Sequence, residues 1–201
     1  MMKKYNIFLL CGVLFLTGCF ASSAPTPTYY VLNPSHSNSV EQGETPLSIV
    51  IERPTIVSGL NTDRIALIKN DGRELDYFAQ ARWNGQLDKI VQDFMIESFE
   101  NHYDIVEVGA RSRHKKADYM VVTKIRDFQA EYAGDTDVPP TIKVTLVCSI
   151  LKLPHKESVG RIIKTGERTL EQNSMGDIVS GFESLLQETV QDILLEFSQG
   201  K

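Results

Sequence analysis

Long apolar runs are scarce in this chain. The most continuous one, Ile7 to Leu16, is ten residues, whereas a helix that crosses a bilayer needs about 20. A permanent spanning helix is therefore a poor reading of that run. Histidine is also sparse: His36, His102, His114 and His155 are scattered beside turns and polar runs. None stands at the i, i+4 spacing that puts two ligands on one helical face, so no metal site is legible. Glycines are not arranged as a phosphate loop of either common kind, and no Gly-x-Ser-x-Gly nucleophile elbow occurs. The residues show no catalytic constellation and no cofactor site. Positive charge is in deficit, with 21 basic against 26 acidic residues and a formal net charge of -5. Phosphate-rich partners are repelled on average, which argues against nucleic acid.

The N-terminus has its own order. Lys3 and Lys4 precede the apolar run, and Leu16-Thr17-Gly18-Cys19 closes it. Charged, apolar, then small residues is the order of an export signal. Leu-Thr-Gly-Cys resembles the lipobox of bacterial lipoproteins. That resemblance implies cleavage before Cys19, diacylglycerol on its sulfur and an acylated amine. Each buried acyl methylene contributes about 0.8 kcal/mol, so several chains together hold a protein on a membrane. Residues 1–18 are thus expected to be a cleaved signal peptide and Cys19 the lipid attachment site. Loss of Lys3 and Lys4 takes the balance to 19 basic against 26 acidic residues, a net charge of -7. Of the three cysteines, Cys11 leaves with the signal and Cys19 takes lipid, so only Cys148 remains and no intramolecular disulfide is expected.

From Phe20 to about Pro46 the chain is rich in Ser, Pro, Thr and Asn, and reads as a flexible tether over residues 19–46. Its apolar island, Tyr29-Tyr30-Val31-Leu32, has strand propensity suited to a sheet edge. Residues 47–201 have globular composition, no internal repeat, and one domain's length.

In that domain Leu47, Ile49 and Ile51 alternate as in a half-buried strand that Pro54 ends. Arg64 to Lys69 predicts a second strand, Asn70-Asp71-Gly72-Arg73 a hairpin turn, and Glu74 to Ala79 a third strand. Leu87, Ile90, Val91, Phe94, Met95 and Phe99 form one helical stripe, with Asp88, Lys89, Gln92, Asp93 and Glu97 on the face turned to water. Further strands are expected at Ile105 to Val108, Tyr119 to Phe128, Thr141 to Leu153 and Arg161 to Leu170. In the third of these Ile142, Val144, Leu146, Cys148 and Ile150 share one face, which makes Cys148 a buried, inert thiol. A second helix runs from about Gly176 to Ser198, with Ser174 and Asp177 spaced as a capping box. The class is α+β: one mostly antiparallel or mixed sheet with two amphipathic helices packed on one face.

Two features invite a functional reading. Arg111-Ser112-Arg113-His114-Lys115-Lys116 is the one basic cluster, so Arg111, Arg113, Lys115 and Lys116 form a candidate contact loop for anionic headgroups or an acidic partner. The competing reading is a solvated loop. Trp83, the only tryptophan, serves either as an interface anchor or as core covering the helix start.

The order of lipobox, Tyr29-Tyr30-Val31-Leu32, a strand ending at Pro54, Arg64-Ile65-Ala66, Glu74-Leu75-Asp76-Tyr77-Phe78 and Arg82-Trp83 before the Leu87 helix resembles the ABC-type transport auxiliary lipoproteins. The resemblance implies a non-catalytic lipoprotein on the periplasmic face of the outer membrane. Phe20 after Cys19, rather than an aspartate, is in line with that membrane. The implied partner is an MCE-domain protein of an intermembrane lipid transport system, with a homo-oligomer also open. The alternative is an assembly factor for another outer-membrane machine, such as a lipopolysaccharide or secretion channel. A tethered hydrolase is a third class and would need convergent polar side chains in a pocket.

Overall fold

The computed structural model describes residues 25–34, 47–70, 72–102, 105–107, 117–134 and 136–199. Its elements are β1 (Thr28–Tyr30), β2 (Leu47–Ile51), β3 (Thr55–Ile56), β4 (Arg64–Lys69), β5 (Glu74–Trp83), α1 (Leu87–His102), β6 (Ile105–Glu107), β7 (Tyr119–Glu131), β8 (Thr141–Lys152), β9 (Glu157–Thr169) and α2 (Met175–Gln199). The strands form one open mixed sheet with two helices, an α+β fold.

β7 organises the sheet. One of its edges carries β8 in antiparallel register from Tyr119↔Lys152 to Glu131↔Thr141, and β8 carries β9 in turn. The other edge is shared among three short parallel strands: β2 at Tyr119 to Val121, β3 at Lys124 and Ile125, and β4 at Ala130 and Glu131. β5 returns antiparallel to β4 through the predicted hairpin, where Asn70 takes a left-handed φ of 53°. β1 then lies parallel to the end of β5, with Thr28 to Tyr30 opposite Ala81 to Trp83. The apolar island does pair at a sheet edge, and Leu32 beyond it is buried. Ordered structure therefore starts well ahead of Leu47, since the tyrosine strand completes the sheet.

Both helices cover the face onto which Ile142, Val144, Leu146, Cys148 and Ile150 project. Met95 of α1 meets Thr123 on that face, and Ile142 lies under Gly181 of α2. Phe99 and Phe197 join the two helices with ring centroids 5.8 Å apart. A fully buried residue of this size stabilises by roughly 1.5–3 kcal/mol, and Phe94, Phe99, Phe128, Phe182 and Phe197 are all 2% exposed or less. Gly181 lets α2 sit close: a Cβ there would stand 2.9 Å from Ile142 Cγ1. The opposite face of β8 and β9 is mixed, with Thr145 and Thr165 hydroxyls 3.0 Å apart, Lys143 paired with Glu167 at 2.6 Å and Val147 opposite Ile163.

The cap of α2 differs in detail from a capping box. The Asp177 amide donates to Ser174 Oγ at 3.1 Å, and the Asp177 carboxylate accepts from the Ser174 hydroxyl. Aspartate reaches only that far, one methylene short of glutamate. On α1 the water-facing assignment needs correction at two positions. Asp88 and Gln92 are 8% and 2% exposed. They flank the apolar stripe one turn apart and hold the end of β2, with Arg53 donating twice to Asp88 at 2.7 and 2.8 Å and Gln92 donating to the Ile51 carbonyl at 3.0 Å.

Candidate functional site

Among the described residues no group of three or more His, Cys, Asp or Glu side chains comes together around a metal-sized space. His155 lies exposed in the β8–β9 turn. Cys148 is the free thiol of the described residues and is fully buried. Burial pushes its pKa up to about 11, against a smaller opposing contribution from its contact with the Thr123 hydroxyl. A thiolate is disfavoured there, so Cys148 acts as a small core residue, as its strand alternation predicts.

The motif residues converge on one corner. Trp83 is 1% exposed, edge-on to Phe128 and Phe182, whose rings stack on each other with centroids 4.8 Å apart. Its amide donates to the Asp63 carbonyl at 2.7 Å, while Arg82 pairs with the Asp63 carboxylate at 3.0 Å. The Arg64 guanidinium lies 3.9 Å over the ring of Tyr77, and the Tyr77 hydroxyl donates to the Gly59 carbonyl at 2.7 Å. Gly59 has a φ of 91°, and a Cβ there would meet Leu75 at 2.4 Å. Arg-Trp before the helix is thus a structural device: the arginine fixes the loop while the indole enters the core.

A family model described as ABC-type transport auxiliary lipoprotein component matches residues 30–194. The chain belongs to that family. An uncharacterized protein from Bradyrhizobium diazoefficiens is 27% identical over 190 residues, which are 92% of this chain and 48% of that protein. The chain therefore spans about half the length of this curated relative. Among solved structures, protein XCC0632 from Xanthomonas campestris superposes with a TM-score of 0.73 at 18% identity, covering 83% of this chain and 92% of its own. A second, uncharacterized protein gives 0.66 at 11%, covering 86% and 99%. At such identities the likeness shows the fold alone.

In this auxiliary lipoprotein no helix among the described residues is long and apolar enough to cross a membrane. Cys19 lies outside the described residues, as do Arg111, Arg113, Lys115 and Lys116 of the candidate contact loop. What the described residues offer instead are sheet edges and an uneven distribution of charge. On the helix face cations are satisfied: Lys164 pairs with Glu196, and Arg168 with Glu188 at 2.6 Å. Their acidic partners raise the pKa of Lys164, chiefly through the Glu196 hydrogen bond. Lys124, Arg126 and Arg161, all exposed on or beside the open face, have no carboxylate partner among the described residues, nor do Lys152 and Lys156 at the β8–β9 turn. The open face is mixed, since Lys143 there pairs with Glu167, and this pairing follows from strand register and not from any local run of charge.

Proposed function

We propose that the protein is a non-catalytic, lipid-anchored auxiliary subunit of an MCE/ABC-type intermembrane lipid transport system. In this reading residues 1–18 are removed on export, Cys19 carries the lipid, and the domain hangs from the outer membrane on its periplasmic side. There it docks on an MCE-domain partner. The observation that carries the reading is the family match over residues 30–194, nearly the whole described fold. The basic residues Arg111, Arg113, Lys115 and Lys116 are assigned to contact with anionic headgroups or an acidic partner surface.

The test is a mild-detergent pull-down of the tagged, lipidated protein followed by mass spectrometry. Recovery of an MCE-domain protein or its ABC transporter is the expected result. Recovery of an outer-membrane barrel or secretion channel alone would replace this reading with an assembly-factor role.

A further inference from the structure

β9 is an edge of the sheet. Over its length from Glu157 to Thr169 it pairs with β8 and with no other strand among the described residues. A long edge leaves a row of backbone N–H and C=O groups without a strand partner, a hazard that folded proteins usually blunt. Here the edge is instead furnished with side-chain features of a binding strip.

The first feature is a cleft of about 160 Å³ between the start of β9 and the end of α2. Tyr119, Ile150, Val159, Ile162 and Phe197 give it an apolar lining. Gly160 forms part of its wall on the β9 side. Gly160 stands opposite Ile150 on the helix-covered side, and a Cβ built there would have only Ile150 Cδ1 near it, at 4.0 Å. A second feature is a bulge. Pairing steps from Ile150↔Gly160 to Leu151↔Ser158, so Val159 has no partner on β8 and stands 38% exposed at the cleft. Bulges re-aim side chains in this way. The third is charge: Arg161 borders the cleft, Lys152 and Lys156 lie at the adjoining turn, and none of the three has a carboxylate partner among the described residues, while Glu196, which also lines the cleft, is paired with Lys164. Ile163, two residues along from Arg161, is 49% exposed.

We propose that β9 takes an extended, acidic segment of a partner protein as an added strand. Backbone groups of the segment extend the β9 ladder, one bulky apolar side chain enters the Gly160 cleft, and flanking carboxylates face Arg161, Lys152 and Lys156. Main-chain hydrogen bonds supply affinity, while the cleft and the cations supply selectivity. The inference goes beyond the transport reading and does not depend on it, because the strip would serve any partner with a segment of that kind.

The test uses the full-length lipoprotein in mild detergent and a capped synthetic peptide, Ser-Glu-Val-Glu-Phe-Glu-Val-Ser, with a control bearing lysine at each glutamate. Titration is followed by fluorescence anisotropy, and strand addition by hydrogen exchange of β9 amides. The expected result is saturable binding of the acidic peptide, weaker at high salt, with new protection across Val159 to Thr165. Gly160→Leu, which fills the cleft, and Arg161→Glu each weaken binding at least about tenfold, a difference of about 1.4 kcal/mol. Gly160→Ala, for which there is room, retains binding and shows that the backbone tolerates a side chain there. The proposal is overturned if the acidic peptide does not bind, if both variants bind it as wild type does, or if bound peptide leaves β9 exchange unchanged. A self-associated form that Gly160→Leu dissociates would overturn it too, by giving the edge to a second copy of the chain.

Discussion

Trp83 and Phe182 meet edge to face, with ring centroids 5.5 Å apart and planes at 84°. The contact joins the last residue of β5 to the second turn of α2, about a hundred residues later in the chain. Aromatic pairs in this geometry contribute about 0.5–1.5 kcal/mol beyond the area they bury.

Replacing Trp83 with alanine therefore loses an aromatic hub as well as a large buried surface. Trp83→Ala is expected to lower the unfolding free energy by about 3–5 kcal/mol, and Trp83→Phe by clearly less. Urea unfolding followed by far-UV circular dichroism measures both. A loss under about 1 kcal/mol for Trp83→Ala would show that the indole is not a core element.

Gly181 offers a test in which two principles oppose each other. Alanine is a better helix former than glycine by about 1 kcal/mol. The added methyl group would press on Ile142 Cγ1 at 2.9 Å and Leu170 Cδ2 at 3.1 Å, and overpacking of this kind costs about 1–3 kcal/mol. Gly181→Ala is expected to destabilise by about 1 kcal/mol as the net of the two. A rise in the thermal midpoint would contradict the close approach of α2 to β8.

Cys148 makes a prediction about pH. Its pKa is raised by burial from 9.0 to about 11. The folded state therefore holds the thiol proton more tightly than the unfolded one. That advantage is complete below the unfolded value, falls away between pH 9 and about 11, and is gone above. A shift of this size corresponds to roughly 3 kcal/mol. Stability curves for wild type and Cys148→Ala should differ in slope within that window and run parallel below it. Parallel curves throughout would mean that the thiol is not buried in solution. Native protein should also leave a thiol reagent untouched at pH 8 and react once unfolded.

The lipid anchor has a direct test. Cys19→Ala is expected to leave either a cleaved form that no longer partitions into the detergent phase on Triton X-114 separation or an uncleaved form that keeps residues 1–18. Cleaved Cys19→Ala protein that stays with membranes would show that another feature holds it there.

Much of this fold is written locally. The stripe from Leu87 to Phe99, the alternation from Ile142 to Ile150 and the Asn70 turn each declare an element within a few residues, and the structure has them. β3 could not be read in that way: Thr55–Ile56 becomes a strand because Lys124 and Ile125 of β7 offer an edge to it. Likewise β5 runs on to Trp83, four residues past its expected end, where β1 pairs with it. Asp88 and Gln92 look like solvated helix residues until Arg53 and the Ile51 carbonyl are brought beside them. The β9 strip was equally hidden, since its cleft needs Gly160 to meet Phe197 from the far end of the chain. Polar residues whose partners come from distant elements carry no periodic signal of their role.

The single strand β7 serves as the missing edge for β2, β3 and β4 in succession. For a chain delivered N-terminus first, whether from a ribosome or through a translocation pore, Ser48 waits for Asp118, 70 residues behind it, before its amide finds the carboxylate it bonds in the finished fold. Loop closure over such distances is slow, and short strands gain little until their template arrives. β2 and β3 therefore wait on strands from later in the chain, whereas β4 finds β5 through a local hairpin.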